Sequence, residues 1–561
     1  MSRLINKESN KDNKKDKKKE DSSVLERSRS ILRDLLDVVV SLYMVVLMVV
    51  LPLYTTQTGY RYIGTEKCLF FRTASLTACK AVLPLAVLYL FCLGVKRLRQ
   101  VKHDKGDAPA VSVTDLLAVL YLAAVTGSYL HTSFRQETEW GDAFYGAVGW
   151  YLGFLTQLLF LGIYYMVSRM WQRKDWIMAL WAPALAVVAL LGYLNRFGVY
   201  PLDMKAAGPQ YISTIGNINW YCGYLVTVLS AIAYYLWQGR FGNKWLQRTG
   251  VLFLGMGLAS LVTQGSSSGI AALLLLAGVF YLLSMGDGEK LQRFWGGCVL
   301  LSGVCLLTWA VRRIWPQAIT YAEGTTDLLT LSPLPFLMMG ISLVCLYLVR
   351  RSCRAGRFRP GIWSLLGAAV WAAAGIAAVA YVILLAVNTR HPGSIGALSE
   401  LGAFTFDASW GSNRGITWTA GLTCFLDQDL MGKLVGVGPD AMAQYIHSGV
   451  NPALKSMVEE YFGRLMLTNA HNEWLTVLIN EGILGAVGYI GLMLTAIYRC
   501  LRAGREDALA GAAGMGILAY TVNNIFSFQQ VMSTSAVFLL LGVGEACLRR
   551  GGEQRREKRK I

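Results

Sequence analysis

The sequence predicts an all-α membrane protein, a bundle of about fourteen helices that cross the bilayer. Of its 561 residues, 54% are hydrophobic and only 16% are charged, too little polar surface to cover a soluble globule of this size. Apolar runs of about 18 residues or more recur from one end of the chain to the other. Each is long enough to cross a hydrocarbon core of about 30 Å as a helix.

The apolar runs fall into two groups. About eleven predicted spans form a transmembrane bundle over residues 34–387, and three more lie within residues 483–548. In order, the spans are predicted at about residues 35–54, 74–94, 113–130, 144–168, 176–194, 219–238, 249–264, 269–285, 295–311, 332–349, 362–387, 483–500, 508–525 and 533–548. Trp and Tyr at span edges, such as Trp220 and Tyr221, are typical of an interfacial aromatic belt.

Basic residues occur in alternate loops. The clusters lie at residues 11–33, 96–99, 169–174, 240–248, 290–293, 350–359, 499–505 and 549–560. Short loops rich in Lys and Arg stay cytoplasmic, so this alternation predicts a multi-pass protein of the inner or plasma membrane with both termini inside. The net charge of +18 is therefore explained by topology, and a nucleic-acid partner is not expected.

The two ends of the chain are predicted to be cytoplasmic tails. Residues 1–33 have few apolar side chains and many charges, which predicts a disordered basic tail. Residues 549–561 form a second, shorter basic tail. No signal-peptide pattern precedes the first span, so we expect that span to act as both anchor and export signal.

Residues 388–482 are predicted to form one large external loop with short helices, and this loop is the candidate active site. Most other connections are short, and long loops within compact proteins are usually functional. No Gly-x-Ser-x-Gly elbow occurs in the loop, which disfavours a serine hydrolase. Asp427 and Asp429 resemble an acidic metal-binding pair, but two acids at this spacing are common by chance, so no metal is expected.

His471 is the candidate catalytic base. It stands in Ala470-His471-Asn472-Glu473-Trp474, where the polar loop becomes an apolar helix at the boundary of water and bilayer. A neutral imidazole, with an unperturbed pKa of about 6.5, can accept a proton from a hydroxyl there. The alternative is a histidine that only solvates the start of a helix.

Arg414 is the candidate ligand for a lipid diphosphate. It lies in Ser412-Asn413-Arg414-Gly415-Ile416-Thr417-Trp418, which is expected to begin a helix on the membrane surface. A guanidinium can grip phosphate oxygens bidentately and stabilise the charge of a leaving group. The alternative is a surface arginine without a specific task.

A second external segment, residues 195–219, offers further polar groups. Asn217 or Asn219 is expected to cap the helix that follows. Alternatively, the free amides and the N–H groups of the helix end could bind a phosphate or a sugar, with Arg196 and Lys205 supplying positive charge.

Several short motifs occur in a fixed order along residues 190–545. They are Thr214-Ile215-Gly216-Asn217-Ile218-Asn219, Thr263-Gln264-Gly265-Ser266-Ser267-Ser268-Gly269, Arg414-x-x-x-Trp418, Gly436-Val437-Gly438-Pro439-Asp440 and Ala470-His471-Asn472-Glu473-Trp474-Leu475. This order resembles the O-antigen ligase and O-antigen polymerase superfamily. The spacing from His471 to Gly482 is similar to that of the ligase branch.

The resemblance implies a GT-C-like membrane enzyme that moves a glycan from an undecaprenyl diphosphate carrier to an acceptor hydroxyl, outside the membrane. It implies no metal or nucleotide cofactor, with His471 as the base and Arg414 as the diphosphate ligand. The acceptor would be a second lipid-linked glycan, a lipid or a protein. The further implied substrate-binding residues are Arg196, Lys205, Asn217, Asn219, Arg464 and Glu473.

The chain departs from the family pattern at two places. Gln210 and Tyr211 stand where an arginine often precedes the Gly-Asn turn, and a Ser-Ser-Ser run replaces a Ser-Arg turn. Arg196, Lys205 or Arg464 would then complete the phosphate site.

Two other functions fit the same composition. A flippase or transporter of lipid-linked oligosaccharides would carry ionisable residues deep in several spans, and the predicted spans hold few. A cell-wall polymerase of the shape, elongation, division and sporulation type also uses lipid diphosphates.

Overall fold

The computed structural model describes residues 2–99, 111–239, 243–316, 319 and 324–560. Arg240, the first residue of one predicted basic cluster, lies outside them. Most of the described chain is helical, and the described strands form two hairpins in which each strand has two residues, so the all-α prediction is confirmed. Among these residues, eleven helices are long and apolar enough to cross a membrane, which confirms the multi-pass class.

The described residues up to Arg390 form fourteen α-helices. They are α1 (Ser2–Val45), α2 (Leu51–Leu53), α3 (Ile63–Arg99), α4 (Val113–His131), α5 (Phe154–Met170), α6 (Asp175–Ala179), α7 (Trp181–Arg196), α8 (Ile218–Gln238), α9 (Lys244–Thr263), α10 (Ser267–Ser284), α11 (Gly288–Ile314), α12 (Gly324–Thr330), α13 (Leu334–Arg354) and α14 (Pro360–Arg390). A π-helical turn, Val46–Val50, joins α1 to α2, and a 3-10 turn, Gly59–Tyr62, precedes α3. The antiparallel hairpins pair β1 (Gly141–Asp142) with β2 (Gly146–Ala147), and β3 (Tyr211–Ile212) with β4 (Gly216–Asn217).

The segment between α14 and the next long helix holds four short helices. They are α15 (Trp410–Asp427), α16 (Leu430–Val435), α17 (Met442–His447) and α18 (Pro452–Phe462), preceded by 3-10 turns at Gly396–Glu400 and Gly402–Phe404. Three of them, α15, α17 and α18, share an apolar cluster that is separate from the largest one and includes Ala420, Met442 and Val458. The long helices α19 (Glu473–Ala503), α20 (Ala508–Asn523) and α21 (Val531–Lys560) follow.

Helices α5, α8 and α20 coincide with predicted spans but are not among the eleven long apolar helices. At 17 and 16 residues, α5 and α20 are about 24–26 Å long, short for a 30 Å core. The number of membrane crossings and the side of each loop therefore stay predictions. The three helices pack with α4, α19 and α21 in the largest apolar cluster.

Close helix contacts in this cluster depend on small residues. A Cβ at Gly488 of α19 would lie 2.8 Å from the backbone nitrogen of Tyr121 in α4, so the two helices touch almost backbone to backbone. Glycine at such positions is a common device of membrane helix packing.

Helix α1 begins at Ser2 and so covers residues 2–33 of the segment predicted to be disordered, residues 1–33. Charges of both signs alternate through that segment, a composition that can also form a solvated helix. Its disorder in solution stays a prediction. Likewise α21 continues to Lys560, through most of the predicted second tail.

Candidate functional site

The connection between α20 and α21 brings Arg414 and His471 together. The carbonyl oxygen of Phe526 accepts hydrogen bonds from Nε and Nη2 of Arg414, at 3.1 and 2.8 Å. Two residues later, the ring of Phe528 meets the His471 ring edge to face, with 4.9 Å between centroids. Because two residues span at most about 7 Å of chain, both predicted site residues rest on one short platform, Phe526 to Phe528.

The backbone of the three residues before Arg414 is strained, and it fixes the position of Arg414. Gly411, Ser412 and Asn413 have φ values of +60°, +60° and +70°, a left-handed run that non-glycine residues rarely adopt. Nη1 of Arg414 donates to the carbonyl of Gly411 at 2.5 Å, and the hydroxyl of Tyr461 donates to Oδ1 of Asn413 at 2.8 Å. Strain of this kind is usually kept where it holds a functional group in place.

His471 lies just before α19 and has a left-handed φ of +49°. Its backbone N–H donates to Oδ1 of Asn469 at 3.0 Å, and the side chain of Asn472 caps α19 by accepting from the N–H of Leu475 at 3.0 Å. Burial, and then the positive charge of Arg414, lower the pKa of His471 to about 4. The imidazole is therefore neutral, and able to accept a proton, at neutral pH.

This pKa predicts the pH profile of any reaction in which His471 is the base. The value of kcat/KM for the free enzyme should stay level from pH 7 down to about pH 5 and fall only below that, since protonation of the imidazole removes the base. A profile that falls with a midpoint near 6.5 would show a histidine in an ordinary environment and contradict the prediction.

Glu473 lies inside the bundle rather than at the surface. Its carboxylate is fully buried and accepts hydrogen bonds from the hydroxyls of Tyr489 and Tyr520 and from the amide of Asn524. Its backbone N–H also donates to the carbonyl of Asn524, at 3.0 Å. Direct substrate contact, which the sequence predicted for Glu473, does not fit this placement. Its carboxylate instead ties the His471 turn to α20.

A chain of polar contacts joins the upstream motifs to the same place. Oγ of Ser266 donates to Oδ1 of Asn219 at 3.1 Å, and Ser266 and Ser268 share a 2.8 Å hydrogen bond. Sγ of Cys222 lies 3.9 Å from the Ser268 hydroxyl and 3.6 Å from Oδ1 of Asn523. Asn523 in turn precedes Asn524, which holds Glu473. Three motifs that are far apart in sequence thus meet at the end of α20.

Asn217 caps α8, as one of the two sequence interpretations expected. Its side chain accepts a hydrogen bond from the N–H of Asn219 at 2.9 Å. The preceding Gly216 has a φ of +106°, and a Cβ there would lie 2.8 Å from Cγ2 of Ile63, so both the turn and its packing require glycine.

The remaining predicted cations are dispersed. Arg196 is 1% exposed, and its Nη atoms donate to the carbonyls of Pro209, at 2.8 Å, and Gln264. Arg196 therefore links the segments that contain Pro209 and Gln264. Because its guanidinium already donates to these carbonyls, this placement does not favour phosphate binding. Lys205 and Arg464 are exposed on separate loops.

The acidic pair of the large loop, Asp427 and Asp429, makes hydrogen bonds within the protein. Asp427 accepts a hydrogen bond from the hydroxyl of Tyr445 at 2.8 Å, and Asp429 caps α16 through the N–H of Gly432 at 2.7 Å. Within the described part of the chain, no group of three or more His, Cys, Asp and Glu side chains is arranged to hold a metal ion.

Helix α19 is broken near the site. Gly482 has a φ of +68° and a ψ of −170°, and the turn that contains Gly436 and Gly438 fills the break. The N–H of Val437 donates to the carbonyl of Ile479 at 3.0 Å, and the N–H of Gly438 donates to that of Asn480 at 3.1 Å. Irregular backbone is tolerated at membrane depth only where such partners satisfy it.

Three carboxyl groups line a cavity of about 20 Å³ beside this break, those of Asp440, Glu473 and Glu481. Asp440 accepts hydrogen bonds from the N–H groups of Ala147, at 2.8 Å, and Leu152, at 2.9 Å. Burial nevertheless dominates and raises the pKa of Asp440 to about 7.

Asp440 should make the stability of the protein depend on pH. Its pKa is raised in the folded state, so the folded chain holds more protons than the unfolded chain between about pH 4 and pH 7. The thermal midpoint should therefore fall as pH rises through this window. Asp440→Asn, whose amide oxygen can still accept both N–H groups, should remove that part of the slope.

The control for this measurement is Asp203→Asn, since Asp203 is exposed. Thermal midpoints of detergent-solubilised protein from pH 4 to pH 8 would give the two slopes. An unchanged slope in Asp440→Asn would contradict the assignment.

The connection that carries the platform, residues 524–530, is not among the segments that the sequence predicts for the site. It joins two predicted spans, and short connections of this kind were not expected to be functional. The signal was present in the paired amides Asn523-Asn524 and Gln529-Gln530, which interrupt an otherwise apolar region.

No protein-family model matches this chain, and no curated protein sequence matches it. The resemblance to O-antigen ligases and polymerases therefore rests on its own motifs, and membership of that superfamily stays a prediction.

Proposed function

We propose that this protein is a membrane glycosyltransferase of the O-antigen ligase and polymerase type. It would transfer or polymerise glycan from an undecaprenyl-diphosphate-linked donor to an acceptor hydroxyl, on the external membrane face, during surface polysaccharide biosynthesis. The observation that carries the proposal is the joint placement of Arg414 and His471 on the Phe526 to Phe528 platform.

The two side chains suit the two halves of a displacement at the anomeric carbon. The acceptor hydroxyl passes its proton to the neutral imidazole of His471, and its oxygen forms a bond to the anomeric carbon. The bond from that carbon to the diphosphate oxygen breaks, and the diphosphate leaves with the bonding electrons. The guanidinium of Arg414 stabilises the charge that develops on the leaving group. Holding donor and acceptor together supplies further acceleration.

The other predicted residues take different parts in this proposal. We assign a positioning role, without substrate contact, to Glu473, Asn217 and Asn219. The side chain of each already accepts a hydrogen bond within the protein. Lys205 and Arg464 are exposed and can provide a second positive charge for the diphosphate. Arg196 could do so only if its contacts with the carbonyls of Pro209 and Gln264 were broken.

Location and acceptor belong to the proposal as well. The alternation of basic loops favours a plasma or inner membrane protein with cytoplasmic termini and the site outside. The acceptor is a lipid-linked glycan, a lipid or a protein hydroxyl, and the reaction needs neither a metal nor a nucleotide because the arginine offsets the charge.

A flippase for lipid-linked oligosaccharides is the second candidate. The break in α19 favours it, together with Glu473 and Glu481, which are both buried in the part of α19 before the break. Broken helices and buried acids mark transport sites. From the sequence, such buried acids were expected to be few.

Reconstituted protein separates the two functions. Purified chain in proteoliposomes would receive a labelled undecaprenyl-diphosphate oligosaccharide and candidate acceptors, and both covalent product and movement of label between leaflets would be measured. Glycan transfer is expected. Movement of label without covalent product would refute the transferase and support the flippase.

A further inference from the structure

A second cavity lies between α8, α9, α10 and α11. Its volume is about 780 Å³, within the range of about 300–1,000 Å³ that is typical of small-molecule sites. None of the residues of the Arg414 and His471 site lines it. The function proposed above does not explain this cavity.

The lining of the cavity changes in polarity from one end to the other. Gln247, near the start of α9, and Glu289 and Arg293, near the start of α11, lie at one end together with Arg350, near the end of α13. The other end is apolar and includes Leu261. From Gln247 to Leu261, α9 rises about 21 Å, somewhat more than half the 30 Å of a hydrocarbon core.

The polar end carries more positive than negative charge. Arg293 donates to the carbonyl of Gln238 at 2.8 Å and to Glu289 at 3.1 Å, and so fixes the end of α8. Lys290 lies over the ring of Trp237, 5.2 Å from its centroid. Arg350 adds an exposed guanidinium. The charged residues that line this end are thus one acid, Glu289, and two cations, Arg293 and Arg350, a balance that suits an anionic group.

We propose that this cavity binds one phospholipid with an anionic head group. Its acyl chain would occupy the apolar part, and its phosphate would lie beside Arg350 and Arg293. Basic pockets between membrane helices recognise anionic lipids in this manner. The length of the cavity is close to one leaflet, so an acyl chain fits it better than a polyprenyl chain that is longer than a leaflet.

The lipid site is independent of glycan transfer and lies at the opposite ends of the helices from it. Helix α8 begins at Ile218, between Asn217 and Asn219 of the candidate site's network, and ends at Gln238 beside the polar end of the cavity. The positive-inside rule would place that end in the cytoplasmic leaflet.

Glycines on α11 and α13 provide a matched test. A Cβ at Gly297, which lines the cavity, would have no neighbour within 4 Å, so Gly297→Phe can direct its ring into the open volume. Gly340 in α13 is exposed, is equally uncrowded and does not line the cavity, so Gly340→Phe makes the same change elsewhere. Both substitutions also raise helix propensity, which favours folding.

The experiment uses full-length protein in nanodiscs that contain equal amounts of phosphatidylglycerol and phosphatidylethanolamine with identical chains. After transfer to mild detergent, native mass spectrometry counts the retained lipid. Wild type and Gly340→Phe should keep one phosphatidylglycerol, and Gly297→Phe should lose it at least about tenfold. Equal retention in Gly297→Phe and wild type would overturn the proposal.

A charge comparison keeps the proposal testable even if Gly297→Phe fails to fold. Arg350→Ala should lose the preference for phosphatidylglycerol over phosphatidylethanolamine, whereas Arg351→Ala, one residue along and outside the cavity lining, should keep it. An equal preference in both variants, or no preference in wild type, would also overturn the proposal. Glycan transfer is not read out here, so its presence or absence does not bear on the result.

Discussion

His471→Asn is expected to reduce glycan transfer by about 10²- to 10⁴-fold, the usual contribution of a positioned general base. Asparagine tolerates the left-handed φ of +49° at this position better than most residues. The backbone N–H that donates to Asn469 is unchanged by the substitution, so the turn should keep its shape. A loss of activity would then report the imidazole rather than the fold.

Single-turnover transfer from a labelled lipid-linked donor measures this effect. His391→Asn is the matched control, since His391 is an exposed histidine at the end of α14. Wild-type rates are expected in the control. A wild-type rate in His471→Asn would remove the base from the mechanism.

Arg414→Lys is expected to reduce transfer by about 10²- to 10³-fold, as loss of a group that stabilises developing charge usually does. Lysine keeps the positive charge but cannot offer the paired N–H geometry that fits a diphosphate. It also loses at least one of the two hydrogen bonds that Arg414 donates to the carbonyl of Phe526. The thermal midpoint of the variant must therefore be measured beside its rate.

Arg390→Lys serves as the control for Arg414→Lys, because Arg390 is an exposed arginine at the end of α14. The expected result is a large loss of rate with a small change in midpoint for Arg414→Lys, and neither in the control. A rate that falls only in proportion to the loss of stability would assign Arg414 a structural role alone.

Local sequence patterns were enough to predict the helical class, and they also indicate the pair of candidate site residues. Hydrophobic run length decides that a segment is a membrane helix, and a polar loop that ends in a histidine singles out His471. Each predicted span overlaps a helix of the structure. The number of helices that cross the bilayer is a separate question. Helices α5 and α20 are short, and α8, at 21 residues, is long enough but not apolar enough to be among the eleven.

The orientation of individual side chains could not be predicted in the same way. Glu473 adjoins the site in sequence but turns toward Tyr489 and Tyr520, and only the packing of three helices determines this. Arg196 likewise meets the carbonyl of Gln264, 68 residues away. The direction of such side chains depends on contacts between distant segments.

The break in α19 also depends on contacts between distant segments. The sequence predicts a loop up to Gly482 and a span from residue 483, whereas α19 begins at Glu473 and is interrupted at Gly482. The interruption is stabilised by N–H groups of Val437 and Gly438, which lie far earlier in the chain. The close approach of the two segments explains why both contain glycine, since a Cβ at Gly482 would lie 2.4 Å from the carbonyl carbon of Leu434.

The central claim is that His471 and Arg414 act on one sugar diphosphate as a unit. The most direct measurement is the single-turnover transfer rate of wild type, His471→Asn, Arg414→Lys and the double variant, at a saturating concentration of one labelled donor. Groups that act as a unit lose activity non-additively, so the double variant should be no slower than about the slower single variant. A double-variant loss equal to the product of the two single losses would show that they act independently, and would contradict the account.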